Sequence, residues 1–311
     1  MSAPPRPAAV ILGTRASALA RAQTALVVEL LTAVRPDLEC ETKVISTAGD
    51  RTQASGEPLP EIGGKGLFTS ELERALEDGD IDLAVHSLKD LPTEDAPGVA
   101  IGAVCAREDV RDCVVSRDRC RLEELPEGAV LGTSSLRRVA QVKRRWPQLE
   151  VRSIRGNVDT RIRKVHEHEV DAVLLAAAGV RRLGLDAEVA EWLPVDSMLP
   201  APGQGALAIQ CRTDDPVLEL LVAIDDPEAR ATTTAERVFL RELGAGCTAP
   251  VGAHAELTNA PDVVLDVLVA SPDGRDVVQL SGEGEPAAVG ARVAALALES
   301  GAHRILAAIR G

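Results

Sequence analysis

With 311 residues the chain has room for two or three domains of roughly 100–150 residues each. Aromatic residues make up only 1% and tyrosine is missing, which forces an aliphatic core and argues against gripping single-stranded nucleic acid by base stacking. A formal net charge of -14 argues against general nucleic-acid or anionic-membrane binding. No stretch approaches the roughly 20 apolar residues of a membrane span, the start "MSAPPRPAAVILGTR" lacks a signal-peptide layout, and none of the six cysteines forms a CxxC pair. The expectation is a cytoplasmic protein with reduced thiols and no metal site.

Short β-type runs alternate with helical ones, the pattern of α/β domains. "AAVILG" (8–13) reads as a strand and "SALARAQTALVVELLTAV" (17–34) as a helix, with Ser17 as N-cap and Pro36 just past its end. "CETKVIS" reads as a strand. The stretch 47–66 is rich in turn formers and long for a loop, which suggests a functional cover. "LFTSELERALEDG" reads as a helix and "IDLAVHS" as a buried strand. In a second unit "DCVVS", "AVLGTSS", "EVRSIRG" and "DAVLLAAAG" read as strands, and "LRRVAQVKRRW", "NVDTRIRKVHEH" and "VRRLG" as helical. "LPAPGQGALAIQCR" (199–212) is a Pro/Gly-rich crossing that ends in a strand. A third unit begins near Glu228 with the helix "ATTTAERVFLREL", then a glycine-rich bend, three strand-like runs with the turn "SPDGR", and an apolar terminal helix.

Two stretches echo one another. "ILGTRASALARAQ" (11–23) and "VLGTSSLRRVAQ" (130–141) are each a strand, a Gly-Thr pair and a serine-rich helix start. This is either a coincidence of ordinary strand-to-helix turns or the mark of two similar α/β domains that each aim a helix N-terminus, a natural anion site, at a shared cleft. For Ser17, Ser134 and Ser135 the simple role is helix capping.

Charge is unevenly distributed. Residues 137–164 hold ten arginines and lysines against Glu150 and Asp159 alone, a net charge of about +8 within an acidic chain. Lys143, Arg144 and Arg145 read as a solvated helix face. Arg137, Arg138, Arg155 and Arg161 sit at element ends, where the planar guanidinium can grip a carboxylate through two parallel hydrogen bonds. No phosphate-binding glycine fingerprint is present, so a polycarboxylate ligand is favoured over a nucleotide. In "AVHSLKDLP" an apolar strand delivers His86, Lys89 and Asp90 at its C-terminal end, where ligands bind in open α/β sheets. Asp90 there is either one partner of a turn ion pair with Lys89 or a carboxylate for proton transfer and cation stabilisation. Cys247, in "RELGAGCTAP", lies on a bend with no neighbouring histidine base, which speaks against a protease-type nucleophile and leaves an idle thiol or an attachment point.

The blocks "GTRASALA", "GGKGLFTSELE", "DLAVHSLKDLPT", "REDVRDC", "GTSSLRR", "IRGNVDTR", "AAAGVRRLG", "LPAPGQGALAIQCR", "TAERVFL" and "GAGCTAPVG" occur together and in order. Across nearly its whole length the chain resembles the hydroxymethylbilane synthase (porphobilinogen deaminase) family. That resemblance implies an α/β protein of three domains: 1–104 with 204–224, and 105–203, both like periplasmic binding proteins, and a small α+β domain at 228–311. It implies a transferase of porphyrin and heme biosynthesis that joins four porphobilinogen molecules head to tail and releases four ammonia. The chain would grow on a dipyrromethane cofactor held by a thioether, which the motif places on Cys247. Asp90, Lys89 and Arg15 would be catalytic. Ser87, Lys89, Asp90, Thr133, Ser134, Ser135, Arg137, Arg138 and Arg155 would bind cofactor, and Arg15, Ser17, Gln23, Lys65, Arg155, Arg161, Arg182 and Gln204 substrate. A covalently held primer makes every coupling intramolecular. The family also suggests a monomer that needs no metal and hands an unstable product to a uroporphyrinogen-III synthase. Two departures stand out: Glu61 where the family often has a second lysine, and Ala249 where a larger aliphatic is common. The rival expectation is a non-catalytic cytoplasmic carboxylate sensor of the twin α/β type, which would need neither Asp90 nor Cys247.

Overall fold

The structure, a computed structural model, describes residues 8–49, 69–246 and 249–310. Glu61, Lys65, Cys247 and most of the 47–66 loop lie outside the described residues. In chain order the elements begin with β1 (Ala9–Thr14), α1 (Ala18–Val34), β2 (Glu39–Val44), α2 (Ser70–Glu77), β3 (Leu83–Ser87) and β4 (Val99–Val104). There follow β5 (Asp112–Ser116), β6 (Val130–Gly132), α3 (Leu136–Arg145), β7 (Glu150–Arg152), α4 (Val158–His166), β8 (Ala172–Ala176), α5 (Ala177–Arg182) and β9 (Glu191–Trp192). The last are β10 (Leu207–Arg212), α6 (Leu218–Leu221), α7 (Pro227–Glu242), β11 (Val251–Leu257), β12 (Val263–Ala270), β13 (Val277–Gly284), α8 (Pro286–Ala297) and α9 (His303–Arg310). Among these described residues no helix is long and apolar enough to cross a membrane.

The chain divides into two compact units, Met1–Arg107 with Ala206–Arg230, and Glu108–Gly205 with Ala231–Gly311. The first is built on one five-stranded sheet in the order β2-β1-β3-β10-β4. β1 runs parallel to β2 and β3, whereas β10 runs antiparallel to β3 and β4. Its central strands are aliphatic because both faces are covered. Val10, Leu12, Val85 and Ile209 pack with Val27 and Leu31 of α1, while Ala84 packs with Leu72 and Leu76 of α2. Ser17 caps α1 as expected, its Oγ accepting from Ala20 N at 3.2 Å.

The second unit holds a five-stranded sheet in the order β7-β6-β8-β5-β9. β6 is parallel to β7 and β8, and β5 antiparallel to β8 and β9, so every strand has a counterpart of the same sense in the first sheet. The sequence echo coincides with equivalent positions: β1–α1 and β6–α3 are matching strand–helix pairs, and Gly13 and Gly132 both lie where a side chain would run into a packed isoleucine, Ile81 or Ile154. The expectation of two similar α/β domains is met.

The same unit contains a second sheet, antiparallel β11-β12-β13. Its core joins Leu265, Val267 and Val269 to Phe239 of α7, Val293 of α8 and Leu306 of α9. It docks on the five-stranded part through small residues. A side chain at Gly252 would press on Leu199, and Ala253 N donates to Pro200 O at 3.0 Å. Ala140 and Leu199 meet Leu268 and Ala270 in a small apolar cluster. The C-terminal sheet thus has a core of its own yet shares a compact unit with the second domain.

Two strands escaped the periodicity. β4 carries Gly102 in its middle, where any side chain would meet Leu221, and β9 spans Glu191–Trp192 only. "DAVLLAAAG" starts as β8 but turns into α5 at Ala177, since alanine and glycine carry no β preference to extend the strand.

The docking makes a stability prediction. Gly79 and Gly274 both have left-handed φ, +75° and +74°, but Cβ at Gly79 meets nothing within 4 Å, whereas Cβ at Gly274 would lie 2.6 Å from Ala140 O. Gly79→Ala is expected to cost about 1–2 kcal/mol in denaturant unfolding, the price of the left-handed backbone alone. Gly274→Ala is expected to cost clearly more, and equal losses would contradict a tight seat of the β12–β13 turn on α3.

Candidate active site

In the first unit the chemistry-bearing residues gather at the C-terminal ends of β1 and β3. β3 is buried from Leu83 to His86 and passes directly into a single 3-10 turn, Leu88–Asp90. Leu88 anchors that turn in the core, and its backbone N donates to Ala206 O at 3.0 Å. Lys89 is consequently half-buried and Asp90 exposed. Gln23, buried on α1, reaches across to donate from Nε2 to Ser87 Oγ at 2.8 Å. Arg15 is half-buried at the end of β1. Beneath this surface lies His86, fully enclosed. Burial, reinforced by the positive charge of Arg15, pushes its pKa down to about 4 against a pull upward from Gln210. His86 is therefore neutral at physiological pH and leaves the cationic role to Arg15 and Lys89.

In the second unit the arginines separate into two kinds. Arg137 and Arg138, on the first turn of α3, are buried and converge on the fully buried Asp112 at the start of β5. Arg137 donates to Asp112 Oδ2 at 2.8 Å and Arg138 to both carboxylate oxygens at 3.1 and 2.8 Å. Backbone carbonyls of Leu199 and Leu174 take a further donor from each, at 2.6 and 2.9 Å. Burial alone would raise the Asp112 carboxyl, but the Arg137 and Arg138 charges, with hydrogen bonds from Arg138 and Gln204, hold it well below the usual carboxylate range. Arg137 Nε stays buried without a partner. The second kind lies on loops and element ends. Arg155 is exposed just before Gly156, whose φ of +118° sharpens the bend. Arg161 and Arg182 are half-buried, and donate to Gly156 O at 2.8 Å and Gly205 O at 2.6 Å.

The hydroxyls at the start of α3 do not simply cap it. Ser135 occupies the N-cap position without a side-chain hydrogen bond to the helix. Thr133 Oγ1 accepts from Ser135 N at 3.3 Å, and Ser134 turns its hydroxyl to Ile154 O and to Ser153 Oγ. The capping role thus holds for Ser17 and not for Ser135. Gln204 is buried, with Nε2 donating to Asp112 Oδ1 at 2.8 Å and Val110 O at 2.7 Å. Lys143, Arg144 and Arg145 are exposed, as a solvated helix face should be.

Sequence reasoning passed over two residues, Asp112 and Glu236, both fully buried acids. Each stands inside a quoted block, "REDVRDC" and "TAERVFL". The readable signal was an acid inside an otherwise apolar run, "DCVVS" or "AERVFL", which demands a buried partner.

Fold and site define a multidomain α/β protein with an arginine-rich stretch, residues 137–164, inside an acidic chain. The chain belongs to the porphobilinogen deaminase family. Residues 10–219 match the family's "Porphobilinogen deaminase, dipyromethane cofactor binding domain" and residues 231–299 its "Porphobilinogen deaminase, C-terminal domain". A porphobilinogen deaminase of Desulforudis audaxviator is 49% identical over 305 residues, covering 97% of this chain and 98% of that one. That of Brevibacillus brevis is 45% identical over 300 residues, covering 96% of each. Among solved structures, the VFT2 domain of Bordetella pertussis BvgS is similar at 17% identity with a TM-score of 0.42, covering 70% of this chain and 86% of that one. The methionine-binding protein MetQ is similar at 10% identity with a TM-score of 0.44, covering 70% of this chain and 88% of that one. These two likenesses are too loose to bear on function.

The environment of His86 gives a measurable consequence. Its pKa is depressed in the fold, so the unfolded chain takes up a proton that the fold refuses, and stability is lost as pH falls from 6.5 toward 4. An NMR titration is expected to place the His86 midpoint near 4; a midpoint above 6 would contradict the buried, neutral imidazole.

Proposed function

We propose that the chain acts as a hydroxymethylbilane synthase, condensing four porphobilinogen molecules head to tail with loss of four ammonia to give the linear tetrapyrrole. The observation that carries the site reading is Asp90: an exposed carboxylate in the turn that follows a buried strand, in a chain nearly half identical to named porphobilinogen deaminases. When bound, the dipyrromethane cofactor supplies a pyrrole with a free α-carbon from which the product chain is extended. Its attachment is assigned to Cys247, between α7 and β11, on the strength of the motif.

The described residues fit a carboxylate-bearing group. Arg137 Nε is a buried donor lacking an acceptor, and the N-terminus of α3 is not closed by the Ser135 side chain, so amides and hydroxyls of its first turn remain to receive an anion. Arg155, Arg161 and Arg182 offer planar guanidinium groups to acetate and propionate side chains, with Lys65 of the 47–66 stretch as a further cation. Thr133 and Ser134 contribute at the start of α3, and Ser17, Gln23 and Ser87 beside Asp90. Arg15 and Lys89 place positive charge there for the incoming substrate's carboxylates. Asp90 does the chemistry: a carboxylate near pyrrole N–H groups stabilises positive charge as ammonia leaves and takes up the proton lost when the new bond forms. The binding-only alternative is set aside, since family membership spans almost the entire chain. We assign the enzyme to the cytoplasm as a monomer that passes its product to a uroporphyrinogen-III synthase, a reading that follows from the family resemblance.

Two measurements test this. Intact-protein mass is expected to exceed the sequence mass by two linked pyrroles, located by peptide mapping on Cys247; active protein of unmodified mass would end the attachment assignment. Asp90→Ala, at an exposed position, is expected to fold normally while turnover falls about 10²–10⁴-fold. A near-normal rate would remove Asp90 from the chemistry.

A further inference from the structure

Two consecutive residues of the crossing segment hand their N–H donors to two different buried carboxylates. Gly203 N donates to Glu236 Oε2 at 2.6 Å, and Gln204 Nε2 donates to Asp112 Oδ1 at 2.8 Å. Both acids are fully buried. Glu236 belongs to α7, and its other oxygen accepts from Ala255 N of β11 at 2.9 Å, so it ties together the two elements that flank the bend carrying Cys247. Asp112 belongs to β5 and holds Arg137 and Arg138 of α3. Gln204 also binds the carbonyls of Val110 and Arg111 at 2.7 and 3.3 Å, and Glu108 N donates to Gly205 O at 3.2 Å, lacing the outgoing and returning strands of the crossing together within this unit. Gly203 and Gly205 take φ of 74° and 92°, a backbone that other residues adopt only under strain, which is why "PGQG" rather than a generic loop occupies this position.

We infer that Gln204 and Glu236, with Asp112, are positioning residues: through Gly203–Gln204 they fix the register between the Cys247-bearing bend and the arginines of α3, without touching the pyrroles. Gln204 thereby changes from an expected substrate ligand to a member of the frame. The inference rests on the proposed attachment at Cys247. Its reasoning is geometric. A primer tethered at one end and held by its carboxylates at the other reaches a productive pose only if the two holds keep a set spacing, and a small misplacement of reacting groups costs rate more than binding.

The test uses the holoprotein with Gln204→Met, which keeps the length of the side chain but removes its donors, Glu236→Gln, which puts a donor where two amides point, and the double variant. Each single variant is expected to keep the two-pyrrole mass, to unfold cooperatively, and to lose about tenfold or more in kcat with KM little changed. Because the two act on one dipeptide, the double variant is expected to be no slower than the slower single. A parental protein without the two-pyrrole mass would overturn the attachment and this inference with it. If the parent is loaded, the inference alone is overturned by normal kcat in Gln204→Met, by a raised KM at unchanged kcat (direct substrate contact), by loss of the cofactor mass in the variants (a role in assembly), or by losses that multiply in the double variant. Should Glu236→Gln fail to fold, the Gln204→Met result decides.

Discussion

The carboxylate of Asp112 is the constraint on which the second unit is organised. A single buried acid accepts hydrogen bonds from Arg137, Arg138 and Gln204, and so joins β5, the first turn of α3 and the crossing segment in one knot. Burying these charges is costly, and their mutual attraction does not by itself guarantee a gain in stability. What the arrangement secures is geometry. With one partner removed, the remaining buried charges would be left uncompensated, so alternative packings of α3 against β5 are disfavoured by about 3–5 kcal/mol. Two guanidiniums on one carboxylate also leave a surplus positive charge inside the domain. That local field favours anionic groups nearby, within a chain whose net charge is -14.

The two five-stranded sheets use one plan twice. In each, a parallel trio is extended by two strands on its far side, the first antiparallel to the trio. In each unit the plan aims the C-terminal ends of its first and third parallel strands, β1 and β3 or β6 and β8, at the loops on one edge of the sheet, where ligands bind in open α/β sheets. The two sheets differ in what those loops carry. The first exposes Asp90 in the turn after β3 and keeps His86 buried in the strand itself. The second concentrates guanidinium groups.

Much of this was open to reading in the chain itself. The helices from Ser17, Leu136 and the "TAERVFL" block follow from apolar spacing and end signals, and Ser17 caps as its type and place require. β3 and β8 are legible because each begins as a short aliphatic run that carries valine and leucine, too short for a helix and suited to a strand covered on both faces. β4 was not, since Gly102 is selected by contact with Leu221, a residue of the same unit more than a hundred positions away, and no local pattern announces that. The strand-to-helix switch at Ala177 was equally hidden, because the apolar run continues unbroken from β8 into α5 and only its change to alanine and glycine marks the end of the strand.

By itself the sequence determined the family, the aliphatic core and the doubled strand–helix unit, because these depend on residue type and near-neighbour spacing. Only the tertiary structure decided what each charged residue does. Arg138 and Arg155 are both arginines at element ends, yet the first is buried against Asp112 and the second faces solvent. Gln204, which the family resemblance offers as a substrate ligand, is enclosed on an acid ninety-two positions earlier in the chain. The reason is physical: the role of a charge is set by its burial and by the partner that balances it, and both are supplied by segments remote in sequence.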